Sequence, residues 1–361
     1  MSIPTKPPSP LGVYRVLSPN ASLRISPLQL GGMIVRDKTS GESSPPLTQQ
    51  KAFDALDAFY RLGGNVVDTA NLPGSEFTEE IVGEWMEARG NRDEMVISTK
   101  YTGNLKSGQQ ANAYTNFAGN NAKSLKLSID SSLKRLRTHY INILYVHWWD
   151  YRTSIREVMD HLHALVVSGK VLYLAVADTP AWVVSAANEY ARMANKTPFC
   201  MYQGGWNVLD RAFERDIIPM ARQYGMAVAP WNVFANGIIR NVFDLSKDDE
   251  DTKVLKALRK VADELHVESI RSVAIAYLMQ KTAYVFPTVS GLDVDAFSEY
   301  HTALKISLTR QHFELIEDAK EFDPGFPHST IGDGDKNNGL LADISFGAED
   351  RWPVQKPIGA A

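Results

Sequence analysis

Several side chains suited to acid–base chemistry stand at the ends of short apolar runs. Asp68, Lys100 and His147 close three successive runs, and Gln203 closes a later one. An aspartate, a lysine and a histidine are costly to bury unless they are paired. A lysine beside an aspartate can lower the pKa of a neighbouring acid, and a histidine can orient or polarise a carbonyl group. A structural ion pair plus a buried histidine is the competing interpretation, but their joint placement favours a functional site.

The elements that must position these side chains are eight apolar runs, which alternate with longer amphipathic segments. In most of these runs successive residues are apolar, without the alternation of apolar and polar residues seen in a half-exposed strand. Such continuous apolar runs are typical of parallel strands covered on both faces. The predicted strands are Pro27–Met33, Asn65–Ala70, Met95–Tyr101, Ile141–His147, Val171–Ala177, Phe199–Tyr202, Met226–Trp231 and Ala283–Val289. The predicted helices include Leu47–Leu62, Ala122–Leu136, Ser154–Val167, Ala181–Ala194 and Val254–Leu265.

Strand and helix repeated eight times predict an α/β protein, a single-domain (β/α)8 TIM barrel. A doubly wound open sheet would require a G-x-G-x-x-G turn after the first strand, and the sequence has none there. We expect a polar, proline-rich lead-in over residues 1–20, the barrel over 21–325 and an irregular tail over 326–361. The active site of such a barrel lies at the carboxyl ends of the strands, and Asp68, Lys100, His147 and Gln203 lie at those ends.

Composition excludes several classes of function. The 361 residues carry a formal charge of −4, which indicates neither a nucleic acid nor an anionic membrane as partner. No secretory leader or membrane-spanning run is visible, so we expect a cytoplasmic protein. The single Cys200 and the spacing of His161 and His163 indicate no metal site. A G-x-S-x-G elbow is also missing, which argues against a serine hydrolase.

Over about residues 10–330 the sequence resembles the aldo-keto reductases, in particular a fungal branch of aryl-alcohol dehydrogenases and norsolorinic acid reductases. The resemblance is carried by motifs spread along the chain. They are LQLGGM (28–33), GGNVVDTAN (63–71), VGEWM (82–86), RDEMVISTKY (92–101), INILYVHWWD (141–150), GKVLYLAVADTPAWVV (169–184), RDIIPMARQYGMAVAPW (215–231) and YVFPTVSG (284–291).

The resemblance implies carbonyl reduction with NADPH by an Asp, a Tyr, a Lys and a His. It places Asp68, Lys100 and His147 in three of these roles. The pattern D-T-A-x-x-Y-G is written here as DTANLPG, so Pro73 occupies the tyrosine position. Proline has no ionisable group and also restricts the backbone, so the loop should differ in both chemistry and shape.

The resemblance also places the dinucleotide. The implied contacts are Asp68, Ala177, Asp178, Gln203, Trp231, Asn232, Ser290 and Leu292. Ala177 lacks the hydroxyl of the family's serine, and Tyr300 replaces an asparagine that contacts adenine. Leu292 and Asp293 replace two cations that hold the 2′-phosphate. Because each lost charge-assisted contact costs about 1.5–3 kcal/mol, we expect weakened NADP binding.

Three functions follow as hypotheses. The first is an NADP(H)-dependent reductase acting on a carbonyl of a fungal secondary metabolite, polyketide or meroterpenoid-like, with His147, Trp148 and Trp149 binding the substrate. Trp206 and Trp231 extend the expected aromatic lining. The second is a catalytically degenerate barrel that binds a metabolite or is inactive. The third is a non-redox enzyme using acid–base steps. All three imply a small-molecule ligand, and no protein partner is evident.

Overall fold

Ten strands and eleven α-helices make up the part of the chain that the computed structural model describes, which is residues 7–31, 48–71, 76–104, 115–244, 246–290 and 296–332. The strands are β1 (Arg15–Ser18), β2 (Ala21–Ile25), β3 (Gln29–Gly31), β4 (Val66–Asp68), β5 (Val96–Tyr101), β6 (Ile141–Val146), β7 (Val171–Ala177), β8 (Phe199–Gly205), β9 (Ala227–Trp231) and β10 (Thr288–Ser290). β3 to β10 form one parallel sheet in the order β10-β3-β4-β5-β6-β7-β8-β9.

Backbone hydrogen bonds between the two edges close this sheet into a barrel. The Val228 amide of β9 donates to the Tyr284 carbonyl (2.9 Å), and the Phe286 amide donates to the Val228 carbonyl (2.9 Å). The predicted (β/α)8 TIM barrel is therefore confirmed, and all eight predicted runs contribute a strand. The last predicted run differs most from the observed strand. Ala283–Val289 contributes one isolated β-bridge at Val285, and strand β10 begins only at Thr288.

Helices surround the barrel. They are α1 (Gln49–Arg61), α2 (Glu76–Arg89), α3 (Ala122–Arg135), α4 (Ile155–Val167), α5 (Ala181–Met193), α6 (Phe213–Tyr224), α7 (Glu250–Glu264), α8 (Ile270–Lys281), α9 (Ala296–Ala303), α10 (Arg310–Asp318) and α11 (His328–Ile331). Many begin at a side-chain cap, as where Ser154 accepts from the Glu157 amide at 3.1 Å. The short α11 lies within the predicted irregular tail.

Side chains of the barrel strands alternate between its interior and the helices. In β5, Val96, Ser98 and Lys100 face inward, whereas Ile97 and Tyr101 pack outward against the helical layer. This period of two places polar groups two residues apart on one face of one strand. The register of β4 and β5 then pairs Asp68 with Ser98. The interior of the barrel thus acquires its polar groups from strand periodicity alone.

A β-hairpin that the sequence analysis missed seals the amino-terminal end of the barrel. β1 and β2 pair antiparallel, and Leu17 and Ile25 join the buried interior cluster with Phe286. The Asn20 side chain ties the turn to the rim by donating to the carbonyls of Tyr224 (2.7 Å) and Gly225 (3.0 Å). Within the described residues, the interior is consequently filled at this end, and its cavity opens at the carboxyl ends of the strands.

Gly83 allows close packing of α2 against the end of α3. A methyl group at this position would lie 2.3 Å from the carbonyl oxygen of Arg135. In an unhindered helix, Gly→Ala stabilises by roughly 0.5–1 kcal/mol. Here we expect Gly83→Ala to destabilise the fold by about 1–3 kcal/mol because the helices must separate. Urea unfolding measures the change in the free energy of unfolding, and an increase in the Gly83→Ala variant would contradict this packing.

Candidate active site

A cavity of about 650 Å³ opens at the carboxyl ends of the barrel strands. This is the size range of small-molecule and cofactor sites. Its described walls combine charged, amide and aromatic side chains. They include Asp68, Thr69, Thr78, Lys100, His147, Trp148, Asp178, Gln203, Trp231, Asn232, Phe234, Thr288 and Ser290. The structure thus brings most of the residues singled out in the sequence into one chamber.

A buried ion pair forms the floor of this cavity. The Lys100 ammonium donates to both oxygens of Asp68, at 2.8 Å to Oδ1 and 2.7 Å to Oδ2, and also to the Thr69 carbonyl at 3.0 Å. The Lys100 and Asp68 side chains are only 5% and 7% exposed. All three ammonium protons therefore have acceptors, which is the condition under which a buried charge can be retained.

Two further donors complete the environment of Asp68. Ser98 donates to Oδ1 at 2.5 Å, and Gln203 donates to Oδ2 at 3.1 Å. Sequence reasoning missed Ser98, although its position two residues before Lys100 on one strand could have indicated it. The carboxylate, which itself lies on β4, is thereby held by donors from two other strands, β5 and β8.

His147 follows β6 and is kept neutral by its surroundings. Burial and the neighbouring Lys100 charge lower its pKa to about 3. Its Nδ1 is buried and has no hydrogen-bond partner among the described residues. Burying an unpaired nitrogen lone pair costs less free energy than burying an unpaired N–H group, so we assign the imidazole proton to Nε2. The imidazole therefore presents a neutral N–H donor to the cavity.

Asp178 and Trp231 form a second polar pair on the wall. Asp178 follows β7 with a φ of +40°, and its amide donates to the Gln203 carbonyl at 3.0 Å. The Trp231 indole donates to Asp178 Oδ1 at 3.2 Å. Desolvation raises the pKa of Asp178, opposed by the Trp231 hydrogen bond and the Lys100 charge. Asn232 adopts a left-handed conformation and accepts from the Asn236 amide (2.6 Å), which shapes the adjoining loop.

Hydrogen bonds that the sequence analysis did not predict hold the loops that follow β7 and β6. The Tyr202 hydroxyl accepts from the Thr179 amide (3.0 Å) and donates to the Thr179 carbonyl (2.7 Å). Asn120 donates to the Trp148 carbonyl (3.0 Å) and accepts from the Asp150 amide (2.8 Å). These contacts join residues far apart in sequence, so no local pattern indicates them. They hold the carboxyl ends of β7 and β6 in place.

The structure does not bring every predicted residue to the cavity. Trp149 packs against the core and lines a small apolar gap beside α4 and α5. Trp206 is fully buried, stacked on Phe213. Ala177 is buried inside the barrel next to Gln203. Pro73, Leu292 and Asp293 lie outside the described residues.

No tyrosine belongs to the described cavity walls. Tyr145 is wholly buried beneath Lys100, with its hydroxyl on the Met201 sulfur (3.1 Å), and burial raises its pKa well above the usual range. Tyr101 faces the helical layer, where its hydroxyl meets the Asn120 carbonyl at 3.4 Å. The tyrosines on the neighbouring described strands therefore have other partners.

A separate cluster adjoins the cavity beyond β10. The Tyr300 hydroxyl donates to the Ser290 carbonyl at 3.0 Å. Arg271 lies over the Phe234 ring, 4.1 Å from its centroid, and pairs with Glu299 at 3.0 Å. The guanidinium group of Arg271 in this cluster is thus already paired with the carboxylate of Glu299.

The described residues contain no group of three or more His, Cys, Asp or Glu side chains placed to hold a metal ion. Among them, too, no helix has both the length and the apolar character required to cross a membrane.

Comparison with known proteins gives a consistent picture. Residues 27–321 match the model of the aldo/keto reductase family. The chain is 47% identical to an aryl-alcohol dehydrogenase [NADP(+)] of Phanerodontia chrysosporium, covering 98% of this chain and 97% of that protein. It is 42% identical to the aldo-keto reductase ausK of Emericella nidulans (99% and 94%). It is 45% identical to norsolorinic acid reductase B of Dothistroma septosporum (90% and 86%).

The ion pair generates a test of coupling. Asp68→Asn or Lys100→Met alone leaves an unpaired buried charge, so each should lower the free energy of unfolding by about 3–5 kcal/mol. The double variant removes both charges and should be more stable than the sum of the two losses predicts. Denaturant unfolding of the four proteins measures this coupling, and strictly additive losses would contradict the pairing described.

The protonation state of His147 generates a second test. Its imidazole NMR signals, assigned by comparison with His147→Gln, should stay constant between about pH 8 and pH 5, whereas an ordinary histidine titrates near ~6.5. Since its folded pKa is lowered to about 3, neutral His147 stabilises the fold above the unfolded pKa, and this stability is lost as pH falls towards the folded value. A midpoint near neutrality would exclude the neutral donor.

Proposed function

The chain belongs to the aldo/keto reductase family, and we propose that it reduces the carbonyl group of an aromatic secondary metabolite with NADP(H). The observation that carries the proposal is the Asp68–Lys100 pair lying beside neutral His147 on the floor of a barrel cavity. This combination supplies a fixed positive charge and a hydrogen-bond donor where a carbonyl oxygen would become negative.

We propose that the part of the cavity lined by Asp178, Gln203 and Trp231 holds the nicotinamide of a dinucleotide. Asp178 and Gln203 offer polar groups suited to a carboxamide, and Trp231, 41% exposed, offers a flat indole face. Asn232 and Ser290 line the same wall. When bound, the reduced dinucleotide supplies a hydride to the substrate.

The chain's own residues then act on the carbonyl oxygen. His147 Nε2–H donates to it and fixes its orientation, while the Lys100 charge stabilises negative charge on it. Asp68 holds Lys100 in place through two hydrogen bonds. Trp148, 38% exposed, and Phe234 provide apolar surface for the remainder of the substrate.

The substrate class rests on the walls and on the relatives. Aromatic side chains favour a planar, apolar ligand. The relatives include proteins named as an aryl-alcohol dehydrogenase and a norsolorinic acid reductase, which supports an aromatic carbonyl compound of secondary metabolism.

Binding of the cofactor's 2′-phosphate should be weak. The sequence places Leu292 and Asp293 where the family has cations. Arg271, the cation of the adjoining cluster, is already paired with Glu299. We therefore propose that this chain binds NADPH with reduced affinity.

A second candidate function is a barrel that binds the same type of metabolite without redox turnover. It is favoured by the proline at position 73 and by the lack of a tyrosine on the described cavity walls. Tight dinucleotide binding without reduction of any carbonyl compound would support it.

Cofactor fluorescence during titration tests the proposal. The wild-type protein should bind NADPH no more tightly than NADH. Leu292→Arg combined with Asp293→Lys should tighten NADPH binding by at least ~10²-fold, because two charge-assisted contacts of about 1.5–3 kcal/mol are restored. The matched control is NADH, whose affinity should change less than about threefold because it lacks the 2′-phosphate. No binding of either nucleotide at millimolar concentration would exclude the reductase.

A further inference from the structure

We infer that Glu79 and Arg135 are positioning residues for the candidate active site. They form a second buried ion pair, which we call the outer pair, on the helical side of the strands whose inner side carries Asp68 and Lys100. From there they hold the segment that leaves β4 and, through it, one hydrogen-bond acceptor of the Lys100 ammonium group. As far as turnover is concerned, this role rests on the proposed function, whereas the hold on Lys100 can be measured without any reaction.

The outer pair joins α2 to the end of α3. Arg135 Nε and Nη2 lie 2.7 Å and 2.6 Å from Glu79 Oε2, and the Glu79 side chain is fully buried while that of Arg135 is 13% exposed. Glu79 Oε1 accepts a hydrogen bond from the Thr99 hydroxyl at 2.6 Å. Burying two ions costs free energy that well-packed apolar side chains of similar size would not cost. A buried pair of this kind is therefore better suited to fixing its polar neighbours than to stabilising the fold.

The contacts of the outer pair continue to Asn71, three residues after Asp68. Arg135 Nη2 donates to Asn71 Oδ1 at 2.6 Å. Asn71 Nδ2 donates to the Ser128 carbonyl at 3.2 Å and to the Ser132 hydroxyl at 3.1 Å. The Asn71 side chain is 1% exposed, so both protons of its amide group and its oxygen are fixed to α3 inside the protein.

Asn71 and Thr99 lie next to the groups that hold Lys100. Thr99 precedes Lys100 on β5 and points to the opposite face of the strand. The Asn71 amide donates to the Lys100 carbonyl at 3.2 Å. Thr69 donates through its amide and its hydroxyl to the Ser98 carbonyl, both at 2.9 Å. Segment 69–71 is thus bonded to β5 on one side and to the outer pair on the other.

The geometry of the Lys100 ammonium group depends on this segment. Two of its protons are accepted by Asp68, and the third is accepted by the Thr69 carbonyl at 3.0 Å. A displacement of segment 69–71 therefore moves an acceptor of Lys100 and changes where its charge lies relative to His147. Because a misplacement of about 1 Å can lower a rate by about 10²-fold, contacts this far from the cavity can still affect turnover.

An apolar replacement of the outer pair tests this role. Glu79→Met combined with Arg135→Met removes both charges, so no unpaired ion is left buried. The readout is the ¹⁵N NMR signal of the Lys100 ammonium group, assigned by its loss in Lys100→Met. We expect this signal to shift and its protons to exchange with water at least ~10-fold faster, because one of their acceptors is no longer held in place. The imidazole signals of His147 should shift as well.

A second variant keeps the test decisive if the double variant does not fold. Asn71→Ala breaks the contact between the outer pair and segment 69–71 but leaves both charges of the outer pair in place. A cooperative thermal transition establishes that this variant is folded. It should also shift the Lys100 signal and accelerate exchange of the ammonium protons.

The matched control is Arg92, which holds the opposite end of β5. Its guanidinium group donates to the Met95 carbonyl (3.1 Å), the Tyr140 carbonyl (2.8 Å) and the Asn142 side chain (3.0 Å). Arg92→Met thus removes several hydrogen bonds from the amino-terminal end of the same strand. We expect proton exchange at Lys100 to stay within about twofold of the wild-type rate, because distant sites act independently.

Turnover of benzaldehyde with NADPH then measures the consequence for the proposed reaction. The double variant of Glu79 and Arg135 should lower kcat by about 10- to 10²-fold, because the positive charge is displaced from the reacting oxygen. The KM for benzaldehyde should stay within about threefold, as expected when binding of the ground state is retained. Arg92→Met should leave both constants near the wild-type values.

The outcomes separate this role from the proposed function. Unchanged Lys100 and His147 signals in the folded double variant or in Asn71→Ala overturn the inference, and so do equal changes in Arg92→Met, which would show a general loss of stability. Both results leave the reductase standing. A wild-type protein that turns over no carbonyl compound overturns the proposed function, and the NMR signals still decide whether the outer pair positions Lys100.

Discussion

The site depends on one buried ion pair. Asp68 and Lys100 lie in the barrel interior, and each charge is tolerated only because the other is within hydrogen-bond distance. Ser98 and Gln203 complete the shell of Asp68. Because these four groups come from β4, β5 and β8, their distances are set by strand register rather than by a loop. The geometry of the pair is therefore set by the barrel strands.

Around this pair, the described side chains of the site are fixed by hydrogen bonds and by burial. His147 is a neutral donor, and Asp178 is joined to Trp231. Loop anchors such as Tyr202 and Asn120 hold the neighbouring segments. An environment of this kind stabilises developing charge without reorganisation.

Sequence reasoning predicted the barrel because buried parallel strands are continuous apolar runs with a polar residue at the end. It missed the β1–β2 hairpin, whose strands are short and contain Arg15 and Arg24. It expected Trp149 beside Trp148 in the cavity, but the chain has left β6 there and the two side chains diverge. Contacts such as Asn120 to Trp148 span long stretches of chain and follow only from tertiary structure.

The hairpin at the amino-terminal end of the barrel also determines how a ligand reaches the site. Leu17, Ile25 and Phe286 fill that end of the interior, so the described cavity is reached from the carboxyl ends of the strands. Two ligands that share a cavity with one entrance bind in sequence, because the outer ligand covers the inner one. In the two-ligand reaction proposed above, the deeper ligand would therefore associate first and dissociate last, and release of the outer ligand would limit exchange of the inner one.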